Sequence, residues 1–138
     1  MGRTAKDLEA YFLAIGRRYR AVDEGTFVLE PPAHGDGPPI GARATNDGPV
    51  VFTAELGAAP GGGDTEAEAK FFRRLLEMNA SDLLYCAYGV RDGAVILSSA
   101  HELSNLDLNE VEAILSDFDL AIARHRREMP PAPHALSA

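Results

Sequence analysis

Any chemistry done by this chain would have to come from four histidines, one cysteine and 21 acidic residues. A zinc site needs ligands clustered at short spacing, such as two histidines four apart on a helix or a pair of CxxC motifs. His34, His101, His125 and His134 are scattered, and Cys86 has no second cysteine. His34 falls in a loop, His101 after a strand and His134 in a terminal stretch. His125 ends a helix among Arg124, Arg126 and Arg127, where it reads as a cation favoured by the helix dipole. A nucleophilic thiol needs a neighbouring base and an open setting. Cys86 lies in the apolar run Leu83-Leu84-Tyr85-Cys86-Ala87-Tyr88, so it reads as a small buried hydrophobe. The stretch Pro60-Gly61-Gly62-Gly63 leads into a helix, as phosphate-binding loops do. However, Asp64 and Thr65 follow where such a loop carries Lys and then Ser or Thr, and a carboxylate there repels phosphate. There is no Gly-x-Ser-x-Gly nucleophile elbow. The carboxylates have structural posts: Asp7, Glu66, Glu68, Asp107 and Glu110 at helix starts, and Asp23, Asp47 and Asp92 in turns. These residues point to no enzyme, no cofactor and no metal.

Composition narrows the remaining classes. A net charge of −8 repels nucleic-acid backbones and keeps a protein soluble while it handles a sticky or basic partner. No segment reaches the ~20 apolar residues that span a bilayer, and Asp7, Glu9, Arg17 and Arg18 interrupt any leader-like run. Gly2 is not a myristoylation signal, because Lys6 stands where the motif has Ser or Thr. The 138 residues are expected to form one α+β domain over 1–129, with a disordered Pro-rich tail over 130–138. A single cysteine suits a reducing cytoplasm.

The elements follow from periodicity. The first helix is expected over 4–20, capped by Thr4 with Asp7, its apolar stripe running through Leu8, Tyr11, Phe12, Ile15 and Tyr19. Arg17, Arg18 and Arg20 then crowd its last turn. A turn at Asp23-Glu24-Gly25 leads to a strand over 26–30, and four prolines and two glycines make 31–39 a loop. Strands over 40–45 and 50–56 pair across Asn46-Asp47-Gly48. The second helix is expected over 66–79, with Thr65 and Glu68 as a capping box and Asn79 as its stop. A strand over 83–90, apolar on both faces, turns at Asp92-Gly93 into a strand over 94–99. The third helix starts near Asp107 with Glu110, and its stripe is Val111, Ile114, Leu115, Phe118, Ala121, Ile122 and His125. The order α-β-β-β-α-β-β-α indicates an antiparallel sheet packed against helices.

This order resembles the type III secretion chaperone-like fold, which groups the Tir-chaperone (CesT-like) family with the YbjN-like domains. The segment Phe71-Phe72-Arg73-Arg74-Leu75-Leu76-Glu77-Met78-Asn79 looks like the family's Leu-rich helix ending in Asn. The strand, the Asp92-Gly93 hairpin, the returning strand and the amphipathic helix from Leu108 follow in the family's order, and the likeness covers roughly residues 5–128. It implies a small cytoplasmic homodimer, without cofactor, that holds a client or effector segment on apolar surface of the sheet and first helix. On that reading Phe71, Phe72, Leu75, Leu83 and Tyr85 contribute to the dimer contact, and Leu8, Phe12, Val28 and Val51 to partner binding. The other readings are a YbjN-like regulatory or structural domain without chaperone activity, and a small-ligand-binding protein or enzyme. The loop over 31–39 is long for the group.

Overall fold

The computed structural model describes residues 3–32, 35–46 and 48–129. Expectations for Gly2, His34, Asp47 and the stretch 130–138 with His134 lie outside the described residues. Helix α1 (Ala5–Ile15) opens at Thr4, whose N–H donates to the Asp7 carboxylate at 2.7 Å. It stops at Gly16, well short of residue 20. Gly16 takes φ +83°, its N–H bonds the Leu13 carbonyl, and the Arg17 N–H bonds that of Phe12. This is the left-handed glycine ending of a helix, which satisfies two otherwise orphaned carbonyls. Arg17, Arg18 and Arg20 therefore lie beyond the helix and do not complement its dipole. Arg17 instead forms a two-pronged pair with Asp119 at 2.7 and 2.9 Å and donates to the Glu30 carbonyl at 2.8 Å.

Beyond Gly16 the chain enters a strand that the periodicity concealed. β1 (Tyr19–Asp23) pairs with β2 (Thr26–Leu29), then β3 (Ile40–Ala44) and β4 (Pro49–Ala58) extend the sheet before the second helix. Tyr19 keeps helical spacing with Phe12 and Ile15, yet it reaches the core from β1, its ring 5.8 Å from Phe12 and 6.0 Å from Phe27. The element order gains one strand on the expected order, and the class remains α+β.

Helix α2 (Thr65–Ser81) is capped one residue earlier than expected. The Asp64 carboxylate accepts the Ala67 N–H at 3.0 Å, and the helix runs past Asn79. β5 (Ala87–Arg91) is shorter than the apolar run that announced it, since residues 83–86 form a turn segment. Asp92 and Gly93, both at positive φ, make the tight turn into β6 (Ala94–Glu102). A single 3₁₀ turn, Leu103–Asn105, then leads to α3 (Leu108–Glu128), capped by the Asp107 carboxylate on the Glu110 N–H at 2.8 Å.

The six strands form one antiparallel sheet in the order β1-β2-β3-β4-β6-β5. Alternation places Phe27, Leu29, Ile40, Ala42, Val50, Phe52, Val95 and Leu97 in the core. They meet Leu8 and Phe12 of α1, Phe71, Leu75 and Met78 of α2, and Ile114 and Phe118 of α3 in one cluster. The opposite face carries Arg20, Val28, Arg43, Val51 and Glu55. No helix is long and apolar enough to cross a membrane among the described residues.

Candidate functional site

The groups with chemical potential are built into the framework. Asp117, on the buried stripe of α3, accepts the backbone N–H groups of Leu84, Tyr85 and Cys86, the last two at 2.8 and 3.0 Å. The Cys86 thiol donates to the same carboxylate at 3.3 Å. Burial would raise the Asp117 pKa, but the backbone donors and the thiol outweigh it and hold the carboxyl below its ordinary value. Burial, reinforced by that carboxylate, pushes the Cys86 thiol far up, so it stays protonated and unreactive. Sequence reasoning missed Asp117. Its signal was a carboxylate three residues after Ile114 and four before Ala121, on the apolar stripe.

His125 is not a helix-end cation. Its Nδ1 lies 3.0 Å from the Tyr88 hydroxyl, the two rings are 5.5 Å apart, and burial lowers its pKa. Burial likewise raises the Tyr88 phenol to about 12. His101 is hydrogen-bonded to the Ser99 hydroxyl, and its ring neighbours Phe52 and Tyr85. Among the described residues, no three His, Cys, Asp or Glu side chains could jointly hold a metal ion, and no buried side-chain N or O lacks a partner.

What the molecule offers instead is surface, concentrated at the two edges of its sheet. β1 is one edge. The Glu30 N–H bonds the Arg18 carbonyl at 2.9 Å, which makes Arg18 and Glu30 a hydrogen-bonded pair. Antiparallel pairs alternate between bonded and non-bonded, so Tyr19 and Ala21 turn their N–H and C=O groups away from β2. Alongside runs a groove of about 700 Å³ between the start of α1 and the β1–β2 hairpin, lined by Ala5, Glu9, Ala21, Val22 and Phe27 among others. Val22 is 54% exposed.

β5 is the other edge, and it is covered. The Asn79 side chain accepts the Tyr88 N–H at 2.7 Å and donates to the Tyr88 carbonyl at 3.2 Å. Asn79 thus fastens α2 along β5 rather than stopping the helix. Around this edge are large exposed apolar side chains: Leu84, Leu120, Leu76, Val90 and Tyr85. Leu84 and Tyr85 are held beside Asp117, one helical turn from Leu120, and Leu76 is one turn from Asn79. Exposed apolar surface gathered in this way is characteristic of an interaction site.

The residues assigned from the sequence are distributed between these regions and the core. Of the dimer set, Phe71 and Leu75 are buried, Phe72 and Leu83 are partly buried against the core, and Tyr85 is exposed. Of the partner-binding set, Leu8 and Phe12 are wholly buried under α1, Val28 is half-buried, and Val51 is exposed on the open sheet face.

Residues 1–132 match the model of the CesT_Tir_1 family. Among solved structures, the chain is similar to one from the heterodimeric ExoU–SpcU complex of the Pseudomonas aeruginosa type III secretion system. That pair has a TM-score of 0.65 at 20% identity, covering 85% of this chain and 93% of that one. It is similar also to a chain of the Yersinia pestis type III secretion chaperone SycH in complex with a stable fragment of YscM2, with a TM-score of 0.56 at 13% identity over 86% and 98% of the two chains. A third likeness is to a chain of the ExsC–ExsE complex, with a TM-score of 0.52 at 17% identity over 94% and 98%. At these identities the likeness is one of fold. No curated protein matches the sequence.

Proposed function

The chain belongs to the CesT_Tir_1 family, and from that membership we propose that it is a cytoplasmic, homodimeric chaperone-like protein that holds an extended segment of a partner protein along β1. Family and fold point to a non-enzymatic protein whose work is protein binding. The three similar structures named above are of complexes with partner proteins. The observation that carries the reading is the difference between the edges: β1 pairs on one side only and borders a groove, whereas Asn79 occupies β5. An added strand gains its affinity from main-chain hydrogen bonds and its selectivity from the side chains beside it. Val28 and Val51 extend the contact over the open face of the sheet. Leu8 and Phe12 act indirectly, by seating α1 so that the groove keeps its shape.

Ala21→Pro tests this. It removes an N–H that the β1–β2 ladder does not use, so the fold should persist with a melting temperature within a few degrees of wild type. Capture of a protein partner from the native lysate should be lost. Capture undiminished by Ala21→Pro would remove β1 as the binding edge.

A further inference from the structure

The two-residue turn at Asp92 and Gly93 makes Arg91 and Ala94 the closing pair of the β5–β6 hairpin. Closing pairs of such turns are hydrogen-bonded, so the bonded pairs are Arg91–Ala94, Gly89–Ile96 and Ala87–Ser98. Tyr88 and Val90 then point their N–H and C=O groups outward, towards any strand that would dock there. At Tyr88 that place is taken. The Asn79 carboxamide offers an acceptor to the Tyr88 N–H and a donor to its C=O, the same two bonds a neighbouring strand would make. The Tyr88 ring is itself held by His125, whose Nδ1 is hydrogen-bonded to the Tyr88 hydroxyl. A strand arriving at β5 would have to displace two formed bonds to make two equivalent ones.

We infer that Asn79 is the residue that determines which edge of this sheet can be extended: it blocks strand addition at β5 by imitating a strand. The inference stands apart from the reading of β1, because its consequences appear in the protein alone. Unguarded edges pair with one another. Asn79→Ala should speed exchange of the Tyr88 amide roughly tenfold, as expected for the loss of one hydrogen bond. It should also produce concentration-dependent species larger than the wild-type assembly in size-exclusion chromatography with light scattering. Adding Ala87→Lys, which places a charge beside the edge on the face of β5 opposite Tyr88, should abolish those species while leaving Tyr88 exchange fast. A merely structural Asn79 would show no such rescue. Asn79→Leu keeps the volume and removes both hydrogen bonds, so it decides the matter if Asn79→Ala does not fold. Wild-type size at every concentration in the folded variant, or unchanged Tyr88 exchange, would overturn the inference.

Discussion

Asp117 shows how one side chain can replace an element of secondary structure. Residues 84–86 belong to neither helix nor strand, and their N–H groups converge on its carboxylate. Asp117→Ala orphans these donors next to the core, and each unsatisfied group costs ~1–3 kcal/mol. Some of them can reach water, so denaturant unfolding should show a loss of about 3 kcal/mol, and Asp117→Asn, which keeps an acceptor, should lose less. A loss under about 1 kcal/mol for the alanine variant would mean the segment is held by something else. The folded-state pKa of Asp117 lies below the ordinary carboxylate value. Its stabilisation is therefore complete above that value and is lost as pH falls through the lowered one.

At the scale of elements, the sequence was informative wherever periodicity and turn chemistry agreed. α3, the Asp92-Gly93 hairpin and the β3–β4 pairing have capping or turn residues flanking clean apolar patterns. The errors have a common origin in apolar spacing that persists across a backbone change. Phe12, Ile15 and Tyr19 continue a helical stripe through Gly16, because Tyr19 reaches the same core from a strand. Leu83 to Val90 reads as one strand because hydrophobicity does not distinguish a strand from a turn segment held by a distant carboxylate. Neither Asp117 nor Asn79 was legible as a site, since the partners of both are backbone groups, and sequence does not say which backbone groups go unpaired. The expected surface residues came from a resemblance alone, and the structure exposes Tyr85 and Val51 but buries Leu8 and Phe12 in the core. The partly buried imidazoles of His125, packed between α3 and β5, and of His101 on β6 should give the fold a pH dependence. Burial depresses the pKa of both His125 and His101, so the unfolded chain takes up their protons first. Stability should fall as pH drops below about 6.5, the ordinary histidine value. Thermal unfolding across a pH series checks this, and His125→Gln should flatten part of the slope. A wild-type curve that stays level from neutral pH down through that window would contradict it.

For the whole molecule, the proposed homodimer would seat its second copy on the exposed apolar side chains beside α2 and β5. Leu76, Leu84, Val90 and Leu120 join the expected Tyr85 there. Phe71 and Leu75 support this surface from beneath. The double variant Leu84→Glu/Leu120→Glu replaces two of its most exposed side chains with charges and leaves the core untouched. Light scattering should report a dimer for wild type and a monomer for the variant at micromolar concentration, with the circular dichroism spectrum unchanged. A dimer that survives both charges would place the subunit contact elsewhere.

The unequal edges also set a limit on assembly. A sheet open on both sides can grow without end, because each newcomer presents the edge its predecessor used up. Here β5 is bonded to Asn79 and β1 pairs on one side only. Main-chain pairing between copies can then join β1 only to β1, a contact with two-fold symmetry that is complete after two chains. Main-chain pairing by itself thus gives the protein no route to a filament, because the pairing stops at two chains.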